Sequence, residues 1–163
     1  MTTKSLLVVG LLCCSAFGQA GKPDFSGSWK LNNARSAPRD DARPENFIVV
    51  AQTPNSITTT TKAAGITNIF DGTLPIEKAA DAKHRITHLT DKYRYTKVWW
   101  ENNTLMFEIL DKNGKKDESR ILMAIRESWN VSPDGKVLTT FRQYITAAMN
   151  GHPEDRKYVY DKQ

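Results

Sequence analysis

Asp24-Phe25-Ser26-Gly27-Ser28-Trp29-Lys30-Leu31 is the stretch on which the fold turns. It leads from a polar entry into an alternating strand pattern and carries a Gly27-x-Trp29 pair. A tryptophan brings a large area to bury and an N–H that needs an acceptor. Trp29 therefore reads as a core plug that fixes the first strand, in preference to a ligand contact. Gly27 reads as a place of close backbone approach or a bulge.

Upstream, residues 1–20 read as a secretory signal. Lys4 is its only charge, Leu6 to Leu12 form a short apolar core, and small residues follow at Ala16, Gly18 and Ala20. Cleavage after Ala20 fits the small-x-small rule, with cleavage after Gly18 as the alternative. The apolar run is too short for a bilayer, which takes about 20 residues. Both cysteines, Cys13 and Cys14, lie inside this leader, and neither follows a small residue as an acylated cysteine would. From Gly21 onward there is no cysteine. Disulfides, cysteine nucleophiles, cysteine metal sites, iron–sulfur clusters and c-type haem attachment are thereby excluded. The expected location is exported, periplasmic or secreted.

The remainder, residues 21–163, is about one domain by length. A chain of that size buries roughly two-thirds of its unfolded surface and is stable on core packing alone. The net charge of the whole chain is +5 at pH 7, and its bases are scattered, with Lys115-Lys116 and Arg156-Lys157 adjacent. Nucleic-acid binding needs clustered bases, so no nucleic-acid partner is expected.

Downstream of Leu31, short runs rich in Thr, Val, Ile, Tyr, Phe and Trp alternate with turn residues. Phe47–Gln52 and Ile57–Lys62 flank Thr53-Pro54-Asn55-Ser56, and Thr67–Phe70 runs into Asp71-Gly72. Pro75–Ala82 is the least strand-like stretch. Ile76 to Lys83 has helix-forming composition and reads as a helical turn, a loop or a lid. Strands return at Arg85–Leu89, Lys92–Trp100, Thr104–Leu110, Arg120–Val131, Lys136–Ile145 and Lys157–Tyr160. Turn signals about every 10 residues suit a sandwich or barrel. The fold class expected is all-β, a single antiparallel β-barrel or strongly curved meander of about 8–10 strands. Leu105, Phe107 and Ile109 share one face. The strand Tyr93–Trp100 carries bulk on both faces, so its inner side stays open.

Gly27-x-Trp29 on the first strand resembles the motif of lipocalins and related calycin barrels. In that family the tryptophan closes one barrel end, often against an arginine from a late strand, here Arg142 or Arg156. Asp24–Leu31, Trp100–Leu105, Ser128–Leu138 and Tyr158–Lys162 together resemble small exported lipocalin-like proteins of soil bacteria, acidobacteria especially. The shared run is Trp129-x-x-Ser132-Pro133-Asp134-Gly135-Lys136-x-Leu138. That resemblance implies a barrel, export and a small-molecule site more than any particular activity.

Tyr93, Tyr95, Trp99, Trp100 and Phe107 are the candidate ligand-binding residues, because pockets are mostly aromatic with a few polar groups. Consecutive tryptophans point to opposite sides of a strand, so one of Trp99 and Trp100 lies outside the core and marks a contact surface. His84 and His88 would share a face on a helix. On a strand they stand about 13 Å apart at roughly 3.3 Å per residue, too far for one ion. They read as surface histidines, His152 as a loop residue, and no metal or cofactor is expected. No Gly-x-Ser-x-Gly elbow, phosphate loop or dinucleotide fingerprint is present, and no catalytic residue is assigned. The leading expectation is non-catalytic binding of a small apolar or amphipathic molecule inside or at the mouth of the barrel. The alternatives are a protein-interaction or envelope-associated module with no small-molecule site, and a barrel-hosted isomerase or hydrolase.

Overall fold

A computed structural model describes residues 21–37, 47–61, 72–116, 118–145 and 155–163. Ten strands follow in chain order: β1 (Gly27–Leu31), β2 (Phe47–Thr53), β3 (Ser56–Thr61), β4 (Gly72–Lys78), β5 (Arg85–His88), β6 (Tyr93–Glu101), β7 (Thr104–Lys112), β8 (Ile121–Val131), β9 (Val137–Tyr144) and β10 (Arg156–Lys162). Their order in the sheet is β4-β3-β2-β1-β10-β9-β8-β7-β6, and a β4–β6 pairing closes the ring into a nine-strand barrel. Among the described residues the only helical element is the three-residue 3₁₀ turn Asn33–Arg35. The Thr67–Phe70 run and His152 lie outside the described residues.

All pairings are antiparallel except the closing one, where Ile76, Glu77 and Lys78 run parallel to Val98, Trp99 and Trp100. Topology requires this. The chain reverses twice between β4 and β6, and β5 pairs only with the first half of β6, from His88–Tyr93 to Arg85–Thr96. The second half of β6 is left for β4, which points the same way. The stretch from Pro75 is thus not helical: β4 continues to Lys78, and a turn follows at residues 79–81. Ile76 is buried in the core beneath this pairing. Ladder hydrogen bonds and that burial outweigh a helix propensity of a few tenths of a kcal/mol per residue.

Residues that share a register position share a face. Trp100, Leu105, Trp129, Thr140 and Tyr158 form one inward row, and Val98, Phe107, Glu127 and Arg142 form the next. One end of the barrel is plugged by residues 23–26. The Gln52 side chain donates to Pro23 O at 3.0 Å and accepts from Phe25 N at 3.0 Å, while its backbone N–H donates to Ser26 Oγ at 3.1 Å. Phe25 is then held inside the barrel mouth, stacked on Trp100 at 5.9 Å and edge-on to Trp129 at 6.1 Å. The Trp29 indole donates to Phe25 O at 2.8 Å. Trp29 is therefore the core plug expected from its residue type. Gly27 has φ +137°, and a Cβ there would lie 2.7 Å from Lys162 Cε. Its backbone is one that only glycine adopts readily.

Candidate functional site

The candidate aromatic residues divide between the two sides of β6. Tyr93, Tyr95 and Trp99 face outward, whereas Trp100 and, on β7, Phe107 face the barrel interior. On the outside, Tyr95 donates its hydroxyl to Lys115 O at 2.6 Å, with Lys112 Nζ 4.7 Å from its ring centre. Lys97 Nζ lies 5.2 Å from Trp99, and His88 packs on Tyr93 at 4.6 Å. Glu108, between these rows, meets Lys97 at 2.8 Å, His84 at 3.1 Å and Arg126 at 3.3 Å. Burial opposes its ionisation, but those partners outweigh burial and hold its pKa below the usual value. Tyr95 and Trp99 are buried by such cover, so the outer aromatic row is a satellite cluster and not a bare wall.

Inside, Phe25, Trp29, Ile57, Leu105, Phe107, Ile109, Trp129 and Leu138 are all 0 % exposed. A surface that no water-sized sphere reaches has no void beside it of that size. Phe107 is packed against Trp129 at 4.9 Å in this solid region. The charged groups Glu127 and Asp111 deeper in are paired. Glu127 accepts from Arg142 Nε at 2.5 Å and from Trp129 Nε1 at 2.7 Å, and Arg142 lies over Tyr158 at 5.3 Å. Asp111 meets Arg94 at 2.8 Å and Lys92 at 3.0 Å. Its burial opposes ionisation, and the two cations more than compensate, leaving its pKa lowered. The arginine expected beside Trp29 is replaced: Lys162 Nζ stands over that indole at 5.2 Å, while Arg142 serves Glu127 and neighbours Arg156 across the β9–β10 pair.

Trp100 is the candidate that opens onto space. It is half-buried, with Phe25 beneath it and Lys22 Nζ over its ring at 5.3 Å. Two adjoining open cavities, about 400 and about 350 Å³, share Trp100, Lys22 and Pro54 as walls. Each falls within the roughly 300–1,000 Å³ typical of ligand pockets. The first continues over Asp24, Gln52 and Thr53, and the second over Ile76, Glu77, Lys78 and Ala79. The Lys22 ammonium also donates to Asn102 O at 2.5 Å, and its side chain borders both spaces. Asn102 itself has φ +53°, the tight β6–β7 turn that brings this carbonyl to the barrel end.

The groove thus has an apolar middle of Trp100, Pro54 and Ile76 and a rim of two cations and two carboxylates. Sequence reading singled out Trp100 but not Lys22, Pro54 or Gln52. Lys22 and Gln52 are held there by contacts 27 to 80 residues apart along the chain, which leave no local pattern. Among the described residues no group of three or more His, Asp or Glu side chains converges as a metal site, and no helix is long and apolar enough to cross a membrane. No known family model matches the chain, and no curated protein is significantly similar to it.

Proposed function

We propose that this protein is an exported, non-catalytic binder of a small amphipathic molecule, which it holds at the plugged end of the barrel across Trp100. The observation that carries the reading is the pair of cavities meeting at Trp100, in front of the fully buried side chains Phe25, Leu105 and Trp129. An aromatic and aliphatic floor with charged groups at its rim suits a ligand with one apolar and one polar part. Export rests on the charge, apolar run and small residues of positions 1–20. The test is native mass spectrometry of protein purified from its own host. A retained small molecule, lost on Trp100→Ala in a variant that still melts cooperatively, is the expected result. Protein that arrives without any bound molecule, and takes up none when offered amphiphiles, refutes it.

The competing reading, a protein-interaction module, draws on Phe141 and Ile145, which stand exposed on β9 and just beyond it. It predicts that a Phe141→Ser, Ile145→Ser variant loses a protein partner from a periplasmic extract while Trp100→Ala keeps it.

A further inference from the structure

We infer that the ligand of the Trp100 groove is an amphipathic anion, a single apolar chain ending in a carboxylate, sulfate or phosphate; this rests on the binding reading above. The argument is which rim charges are available. Lys78 is the parallel cross-strand partner of Trp100 and so lies on the same face about 4.8 Å away. It is exposed, and among the described residues no carboxylate is ion-paired with it. Lys22 stands over the same indole, its Nζ 5.3 Å from the ring centre. Lys22 and Lys78 therefore line the same cavity beside Trp100.

The two carboxylates are already engaged by backbone N–H groups. Glu77 is in register with Trp99, on the opposite side of the sheet, and its Oε2 accepts from Lys83 N at 2.6 Å. Asp24 accepts from Ser26 N at 2.9 Å, and the hydrogen bonds from Ser26 are the main cause of its lowered pKa. It also borders a separate hollow of about 620 Å³ on the far side of the plug, shared with Lys162. An incoming head group thus meets the two lysines, while its chain lies on Trp100, Pro54 and Ile76.

The experiment compares three probes of equal chain length below their micelle concentrations, by isothermal titration: laurate, dodecyl maltoside and dodecyltrimethylammonium. Acetate and inorganic phosphate test the head group alone. Laurate is expected to bind most tightly and the cation least, with affinity for laurate falling as salt rises. Lys22→Gln and Lys78→Gln are each expected to weaken laurate about twofold to fivefold, the range for exposed ion pairs, and to leave dodecyl maltoside unchanged. Lys78 lies outside the plug, so its variant keeps the test decisive if Lys22→Gln lowers stability. Maltoside binding that laurate does not exceed overturns this inference and leaves the binding reading standing. Failure of all three probes overturns both. Phosphate or acetate binding as tightly as laurate overturns the amphipathic part.

Discussion

Replacing Phe25 with alanine tests whether the segment before the first strand belongs to the domain core. Phe25 is fully buried 4 residues ahead of Trp29, whose indole is bonded to its carbonyl. Truncating a buried phenylalanine costs about 3–5 kcal/mol. The ring pairs with Trp100 and Trp129 contribute roughly 0.5–1.5 kcal/mol each to that loss. The backbone cannot sink to fill the space, because Gln52 holds both Pro23 O and Phe25 N. A loss near the middle of the range, about 4 kcal/mol, is expected, which for a domain of this size is about 10–20 °C in Tm. Phe25→Leu keeps much of the volume and loses both ring pairs, so about 1–3 kcal/mol is expected. Calorimetry or near-ultraviolet circular dichroism reads both. A loss below about 1 kcal/mol for Phe25→Ala would refute the plug, since no fully buried aromatic ring is removed that cheaply.

Gly27→Ala is expected to cost about 1–3 kcal/mol through its positive φ. Adding Lys162→Ala, which clears the side chain nearest the new Cβ, should not restore the loss; restoration would show that contact, and not backbone conformation, is the cause. Glu127→Ala leaves the buried Arg142 without its carboxylate and should cost about 3–5 kcal/mol in urea unfolding, whereas Glu127→Leu with Arg142→Met should recover most of it. Asp111 and Glu108 both have lowered pKa values, so each contributes stability above its unfolded value, near 3.8 and 4.5, and loses it as pH falls through the folded value. Tm measured from pH 7 downward should be insensitive to these groups until about pH 5 and fall below about pH 4, with a shallower fall in Asp111→Asn.

How much of this was legible beforehand follows from the range of each interaction. The face of Leu105, Phe107 and Ile109 could be read because alternation is local, and it points into the core. Consecutive Trp99 and Trp100 had to diverge, and they do, but nothing local to β6 says which turns inward. That choice is made by Phe25, which stacks on Trp100 from far back in the chain and meets Trp129 with its edge. The composition from Ile76 to Lys83 favoured a helix, and the parallel partner that makes Ile76–Lys78 a strand lies 22 residues on. The same distance hid the closure of the barrel. The Trp100 groove was half visible: the indole stood out as a residue type, while Lys22 and Pro54 look like ordinary loop residues until the plug is in place.

The chain's four tryptophans make the central claim directly measurable. Trp29 and Trp129 have their indole N–H groups bonded inside the barrel, Trp99 lies on the outer face, and Trp100 alone lines the groove. In a nitrogen-15-labelled sample, titration with laurate or dodecyl maltoside should move the Trp100 indole signal, assigned by Trp100→Phe, and leave the signals of Trp29 and Trp129 in place. Movement confined to Trp99, or saturating binding that moves no indole signal, would contradict the assignment of the ligand to the plugged end of the barrel.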